Sequence, residues 1–197
     1  MTCHPANPTA QSRLATAWRK RYSLMTRRFQ VTQKSRAWHI DGDGRRQRSQ
    51  SASCWHAIGC FGTVAHVGPL AAGHAMKALN NYVSAAGLLA SMQALATAES
   101  FGIAPETFTK VINGSTGRNN TTEVKLEPFI ISRRYDSGFF LRLMAKDVGI
   151  ASGLIKNAGF DAPITSALNE YLESAVDHLR ADADHTGLYE MVNPAKS

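Results

Sequence analysis

The sequence predicts a mainly α protein. It reads as a helical bundle around one long central helix, preceded by a short strand and a basic segment of low order. Three observations carry that prediction. From Gly73 onward Met76, Leu79, Tyr82, Val83, Ala86, Leu89, Ala90 and Leu95 recur at three- and four-residue steps, with no proline before Pro105. Further segments of the same period follow, each bounded by glycine or proline. Charge and composition also change near Ile58–Phe61. Residues 1–58 hold 11 Lys/Arg and 2 Asp/Glu, whereas residues 59–197 hold 11 and 13, so balances of +9 and −2 give the overall +7.

Residues 1–58 carry all three tryptophans and two of the three cysteines but no sustained apolar period. Stretches such as HIDGDGRRQRSQSAS bury too little apolar surface to offset the entropy of ordering them. Three readings stay open. Scattered arginines can contact nucleic acid phosphates, but on such an arm they are more often simply solvated. Residues 1–40, free of acids and containing Arg and Ser, resemble an organelle-targeting segment. The third reading is a hypothesis of translation out of frame, since one codon choice for IDGDGRR shifted by a base reads Ser-Met-Val-Thr-Ala-Gly-Asp. A DNA sequence over residues 40–58 with no strand-like shifted frame removes it. No apolar run approaches the roughly 18 residues of a membrane span, and the start has no secretory pattern. Three cysteines without pairing or metal-like spacing suggest a reducing setting, cytoplasmic or an organelle matrix.

CFGTVAHVGP (60–69) reads as a short strand and turn ending at Gly68-Pro69. The long helix, 73–101, closes at Gly102 and Pro105; its many alanines suit burial inside a bundle. Pro105 and Glu106 open a second helix that ends at Gly114. A polar loop leads to a short helix capped by Thr121 or Thr122. In 139–159, Phe140, Leu143, Met144, Val148, Ala151, Leu154 and Ile155 share a face, and the helix ends at Gly159. Asp161 and Pro163 open the next helix, DAPITSALNEYLESAVDHLRAD, and HTGLYEMV forms a short last one. His66, His74, His178 and His185 lack metal-ligand partners at useful spacing and read as structural or solvent-facing. The sequons at Asn113, Asn119 and Asn120 mean little without a signal peptide.

The chemistry centres on GHAMKALNNY (73–82). Lys77 and Asn81 lie one turn apart on one helical face among small residues. A lone lysine on an amphipathic helix is ordinarily a solvated side chain. A lysine amine held beside an amide can instead take or return the proton when an alcohol loses a hydride. Asn81 can donate to a substrate carboxylate or hydroxyl without adding charge. Asn80 points about 100° away and is the weaker candidate, and Gly73 permits close approach of backbone or ligand.

VGPLAAGHAMKALNNY, GSTGRNN and GFFLRLMAKDVGIA, in that order, resemble the β-hydroxyacid dehydrogenase family over about residues 59–193. That family includes 3-hydroxyisobutyrate dehydrogenase and tartronate semialdehyde reductase. The resemblance implies a division into the basic segment 1–58, a remnant of a dinucleotide-binding (Rossmann) domain at 59–72, and an all-α C-terminal domain at 73–197 with the interdomain helix 73–101. The helical part is then the C-terminal domain of a 6-phosphogluconate-dehydrogenase-like enzyme. It implies that Lys77 is the catalytic lysine, that Asn81 binds substrate, and that Lys146 contacts the cofactor side. Phe140 then covers the nicotinamide or packs in the core, Asp147 caps or pairs structurally, and Ser115, Gly117, Arg118 and Asn119 shape the pocket or form a plain loop. The implied cofactor is NAD or NADP. The implied substrate is a small 3-hydroxy acid or its semialdehyde. Family members associate through this domain, which places Leu88, Leu89, Met92 and Leu95 in a homo-oligomer interface. The sequence contains no G-x-G-x-x-G and no Ser-Gly-Gly carboxylate loop, and Ala71 stands where the helix-opening motif has its first glycine. The expectation is therefore a chain that is inactive alone. The alternative is a non-catalytic helical oligomerisation module.

Overall fold

The computed structural model describes residues 37–40, 63–67 and 71–194. The chain divides into two units, Met1–Lys77 and Ala78–Ser197. In the first unit, strands β1 (Ala37–Ile40) and β2 (Thr63–His66) pair in parallel, Ala37 opposite Thr63 through Ile40 opposite His66. β2 is the strand expected in 60–69. β1 lies within residues 1–58, where the sequence shows no sustained apolar period, because four residues are too few to display one. The turn at Gly68-Pro69 and the rest of the basic segment lie outside the described residues.

The long helix α1 runs Ala72–Ser100, 29 residues. Ala71 before it has φ 76°, a region that costs an L-residue roughly 1–2 kcal/mol, so a glycine is the natural occupant there. At the other end Gly102, at φ 78°, reverses the chain, and the Ile103 N–H donates to the Ala98 carbonyl at 3.0 Å. Helix α2 is Pro105–Asn113, with proline in its first turn and Gly114 after it. Helix α3 is Asn120–Val124. Its cap is Asn119, not Thr121 or Thr122. Asn119 Oδ1 accepts the N–H of Thr121 at 2.8 Å, and Thr122 Oγ1 accepts the Asn119 N–H at 2.9 Å. The extended backbone of Asn119 allows this capping box, while both threonines are buried inside the turn. A π-helical turn, Leu126–Ile131, follows.

Helix α4 is Leu141–Asn157. Its buried side carries Leu141, Met144, Val148 and Ala151, whereas Phe140 and Leu143 are 43% and 39% exposed. The expected face was thus rotated: Met144, Val148 and Ala151 belong to both stripes, but Phe140 sits at the N-cap, outside the helix. Helix α5 is Pro163–His178, with Ala162 at the N-cap position and no side-chain cap, which removes Asp161 from that role. It stops four residues before Asp182, since Leu179 turns to extended backbone. A 3-10 turn (His185–Gly187) and helix α6 (Leu188–Val192) make up the last element.

Leu88, Met92 and Leu95 of α1 pack with Leu126, Ile130, Met144, Val148, Leu172 and Leu188 in a single core. Leu88 and Met92 are 0% and Leu95 1% exposed. These three residues are therefore core residues, not a subunit interface. Two polar clusters fasten the ends of the bundle. Asp184 accepts the backbone N–H groups of Gly138, Phe139 and Thr186 and the hydroxyls of Ser137 and Thr186, tying the loop before α4 to the 3-10 turn. Burial pushes its carboxyl up, but hydrogen bonds from His185 and Thr186 outweigh that and hold it well below the usual carboxylate range. His185, 2% exposed, shares its Nδ1 with the Phe139 carbonyl at 3.0 Å, a structural role. At the far end of α1 the Tyr189 hydroxyl donates to Glu99 Oε2 at 2.6 Å, and Asn193 joins the same oxygen.

Leu88→Ala should lower unfolding free energy by about 2–5 kcal/mol in urea titrations, the cost of a core cavity. Burial and the Glu99 contact push the Tyr189 phenol from 10.0 up to about 12. A raised phenol favours the folded state while it stays protonated. This contribution is therefore complete below pH 10 and lost as pH rises through the folded value, and Tyr189→Phe should remove that alkaline loss in Tm-versus-pH measurements.

Candidate functional site

Lys77 and Asn81 lie one turn apart on α1 as the sequence places them, both half-buried, and Gly73 is buried a turn earlier. The geometry around Asn81 differs from the expectation. Its Nδ2 donates to Asp147 Oδ2 at 2.6 Å. An acidic oxygen at that position fixes the amide orientation, because a carboxylate accepts and only the nitrogen donates. Asn81 Oδ1 therefore faces away from α4. One amide proton is committed inside the protein, and the second Nδ2 proton is the donor left for a ligand oxygen. Asn80 is exposed, and its side chain turns back to Asn81 Oδ1 at 3.4 Å.

Asp147 is 4% exposed, placed inward because it stands three residues after Met144 on the core side of α4. Its other oxygen lies 3.3 Å from Lys146 Nζ. Neighbours in sequence do not share a helical face. The lysine stem is long enough to fold back, so the ion pair forms while 59% of the Lys146 side chain stays exposed. A buried carboxyl thus receives the amide from α1 and the ammonium from its own helix. Phe140, expected over a nicotinamide or in the core, presents its exposed ring to the Arg142 guanidinium 5.2 Å from its centre.

The Gly-rich loop is braced within the fold. Ser115 Oγ donates to the Val111 carbonyl at 2.8 Å, Arg118 pairs with Glu123 at 3.6 Å, and Asn119 Nδ2 donates to Ser91 Oγ at 3.0 Å. At Gly117 a Cβ would stand 2.6 Å from Ile112 Cδ1. Asp147, expected to cap or pair structurally, pairs with Asn81 and Lys146. Lys125, whose Nζ lies 3.4 Å from Ser84 Oγ on the Asn81 side of α1, had no sequence signal because its partner is 41 residues away.

Residues 71–192 match the family model described as NAD-binding of NADP-dependent 3-hydroxyisobutyrate dehydrogenase. The chain belongs to the β-hydroxyacid dehydrogenase family. Its members are NAD(P)-dependent enzymes acting on small hydroxy acids. The chain is 33% identical over 108 residues to 2-(hydroxymethyl)glutarate dehydrogenase of Eubacterium barkeri, covering 55% of this chain and 36% of that one. It is 28% identical over 144 residues to the mitochondrial 3-hydroxyisobutyrate dehydrogenase of Drosophila melanogaster, covering 70% and 44%. The solved 3-hydroxyisobutyrate dehydrogenase of Mycobacterium tuberculosis with L-serine shares the fold. Its TM-score is 0.67 at 24% identity, covering 79% of this chain and 54% of that one. The chain thus spans less than half the length of these two curated relatives. Among the described residues no helix is long and apolar enough to cross a membrane.

Asp147→Ala should lower stability by about 1–3 kcal/mol in chemical denaturation, since it leaves the Asn81 amide without its buried acceptor. Asp147→Asn should cost less, because an amide oxygen can still accept.

Proposed function

We propose that this chain carries the proton-transfer and substrate-holding half of an NAD(P)-dependent oxidoreductase that oxidises a small 3-hydroxy acid or reduces its semialdehyde. The observation that carries this is the Asn81–Asp147 hydrogen bond, with Lys77 one turn earlier on the same face of α1. In the oxidation, the substrate C–H leaves as hydride and the O–H proton passes to Lys77 Nζ. The second Nδ2 proton of Asn81 donates to the substrate hydroxyl oxygen and aims it, with Asp147 holding the amide against rotation. In the reductive direction Lys77 returns the proton to the alkoxide oxygen. When bound, the nicotinamide supplies the hydride acceptor. Lys146, half-exposed with its ammonium anchored at Asp147, has the donor capacity to hold a ribose hydroxyl or carboxamide. The exposed Phe140 ring offers an apolar flank.

The sequence contains no glycine-rich pyrophosphate loop, so the same proposal holds that the 197-residue chain is inactive by itself. Association with a second copy through the helical domain is part of it. The exposed side of α1, with Val83, Ala90 and Ala94, supports that surface rather than Leu88, Met92 and Leu95. A reducing compartment, the cytoplasm or an organelle matrix, suits its three cysteines.

Joining the chain to the dinucleotide-binding half of a relative should yield NAD- or NADP-dependent oxidation of 3-hydroxyisobutyrate. In that fusion Lys77→Ala should lower kcat by about 10²–10⁴-fold, and Asn81→Ala should raise KM. A Lys77→Ala fusion with undiminished kcat refutes the proton-shuttle reading, and turnover by the unfused chain refutes the inactivity.

A further inference from the structure

We propose that Asn113 is a modification site, at which deamidation through the Gly114 backbone nitrogen turns a strut of the Gly-rich loop into a repelling carboxylate. The inference stands apart from the dehydrogenase reading and does not depend on it.

Asn113-Gly114 is the sole Asn-Gly pair in the 197 residues. Glycine carries no Cβ, so its backbone nitrogen can approach the preceding side chain closely. In the structure the pair falls at the end of α2, with Gly114 exposed just past the last helical residue. The Gly114 N–H is shared between two long bonds, to the Lys110 carbonyl at 3.3 Å and the Val111 carbonyl at 3.2 Å. Bonds of this kind, at the exposed end of a helix, are among the first to open.

The Asn113 side chain is only half satisfied. Its Nδ2 donates to the Thr122 carbonyl at 2.9 Å, nine residues on, and closes the base of the loop between α2 and α3. Its Oδ1 is buried and meets no donor among the described residues. An amide oxygen buried without a donor is costly, which offsets part of what the strut contributes. Fraying of the last turn therefore releases the Gly114 nitrogen beside a side chain that is weakly held.

The reaction needs no co-reactant but water. The Gly114 nitrogen forms a bond to Asn113 Cγ while the Cγ–Nδ2 bond breaks. The Gly114 proton passes through solvent to Nδ2, which leaves as ammonia. Water then opens the cyclic imide at either carbonyl and leaves an aspartate or an isoaspartate. No atom changes oxidation state. The product cannot rebuild the strut, because a carboxylate has no proton to donate and the Thr122 carbonyl is itself an acceptor. Thr122 is 2% exposed, so a carboxylate in the old position would lose its water as well. Thr122 also belongs to the capping box of α3, and the change thus loosens the loop where α3 begins.

Incubation of the full 197-residue chain in mildly alkaline buffer, followed by peptide mass mapping, tests this. Product should appear at Asn113 ahead of every other asparagine. Gly114→Ala should slow it on the order of tenfold, because a Cβ hinders the attack. The fold accepts that alanine: Gly114 has φ −84°, and a Cβ there would lie 3.6 Å from its nearest neighbours. Asn113→Asp, which installs one product directly, should lower Tm by about 4 °C and speed amide hydrogen exchange over residues 113–123. A chain that forms no product, product arising first at another asparagine, a Gly114→Ala chain that reacts as fast as the unsubstituted one, or an Asn113→Asp chain with unchanged Tm and exchange overturns the proposal.

Discussion

The Asp147 carboxyl, shut away on the core side of α4, is the point at which the polar and apolar logic of the helical unit meet. One oxygen takes the Asn81 amide from α1 and the other takes the Lys146 ammonium. Removing a carboxyl from water costs several kcal/mol unless its lone pairs are met, so the fold tolerates Asp147 only with both partners in place. That requirement sets the rotation of α1 against α4 near Asn81. It also fixes the orientation of the Asn81 amide, and the reading of Asn81 as a donor to the substrate oxygen follows from that orientation.

Helix α1 serves two environments along its length. Toward its C-terminal half Leu88, Met92 and Leu95 fill the core, and Glu99 closes the end through Tyr189 and Asn193. Toward its N-terminal half the same side of the helix turns polar at Lys77, Asn81 and Ser84. The Asn119 side chain, which caps α3, packs against Gly87 at this transition. A Cβ at Gly87 would contact the Asn119 side chain at 3.6 Å. The buried Asp184 cluster plays a matching part at the start of α4, where it holds the Ser137–Phe139 backbone and so the helix that presents Lys146 and Asp147.

The helices were legible in the sequence wherever a periodic face and a glycine or proline boundary coincided. Gly102, Gly114 and Gly159 mark ends, and Pro105 and Pro163 mark starts, because each residue's backbone limits are local. Caps were less legible: Asn119 and Thr121 both belong to capping residue types, Asn the better of the two, and the path of the chain into α3 chose Asn119. The face of α4 was read one position off at Phe140 and Leu143 because two overlapping stripes share Met144, Val148 and Ala151. The subunit contact assigned to Leu88, Met92 and Leu95 failed for a related reason. An apolar stripe states that a face must be covered but not by what, and Leu126, Met144 and Leu188 of the same chain cover it.

The sequence by itself determined the helical class, the order of the elements, the family to which three ordered motifs pointed, and the spacing of Lys77 and Asn81. All of these depend on residues near one another in the chain, where helical periodicity converts sequence separation into direction. The tertiary structure alone decided that Asn81 is held by Asp147 across 66 residues and that Ser84 meets Lys125 across 41. Contacts of that kind arise when whole helices pack, and the pairing energy that selects them has no local trace in either segment.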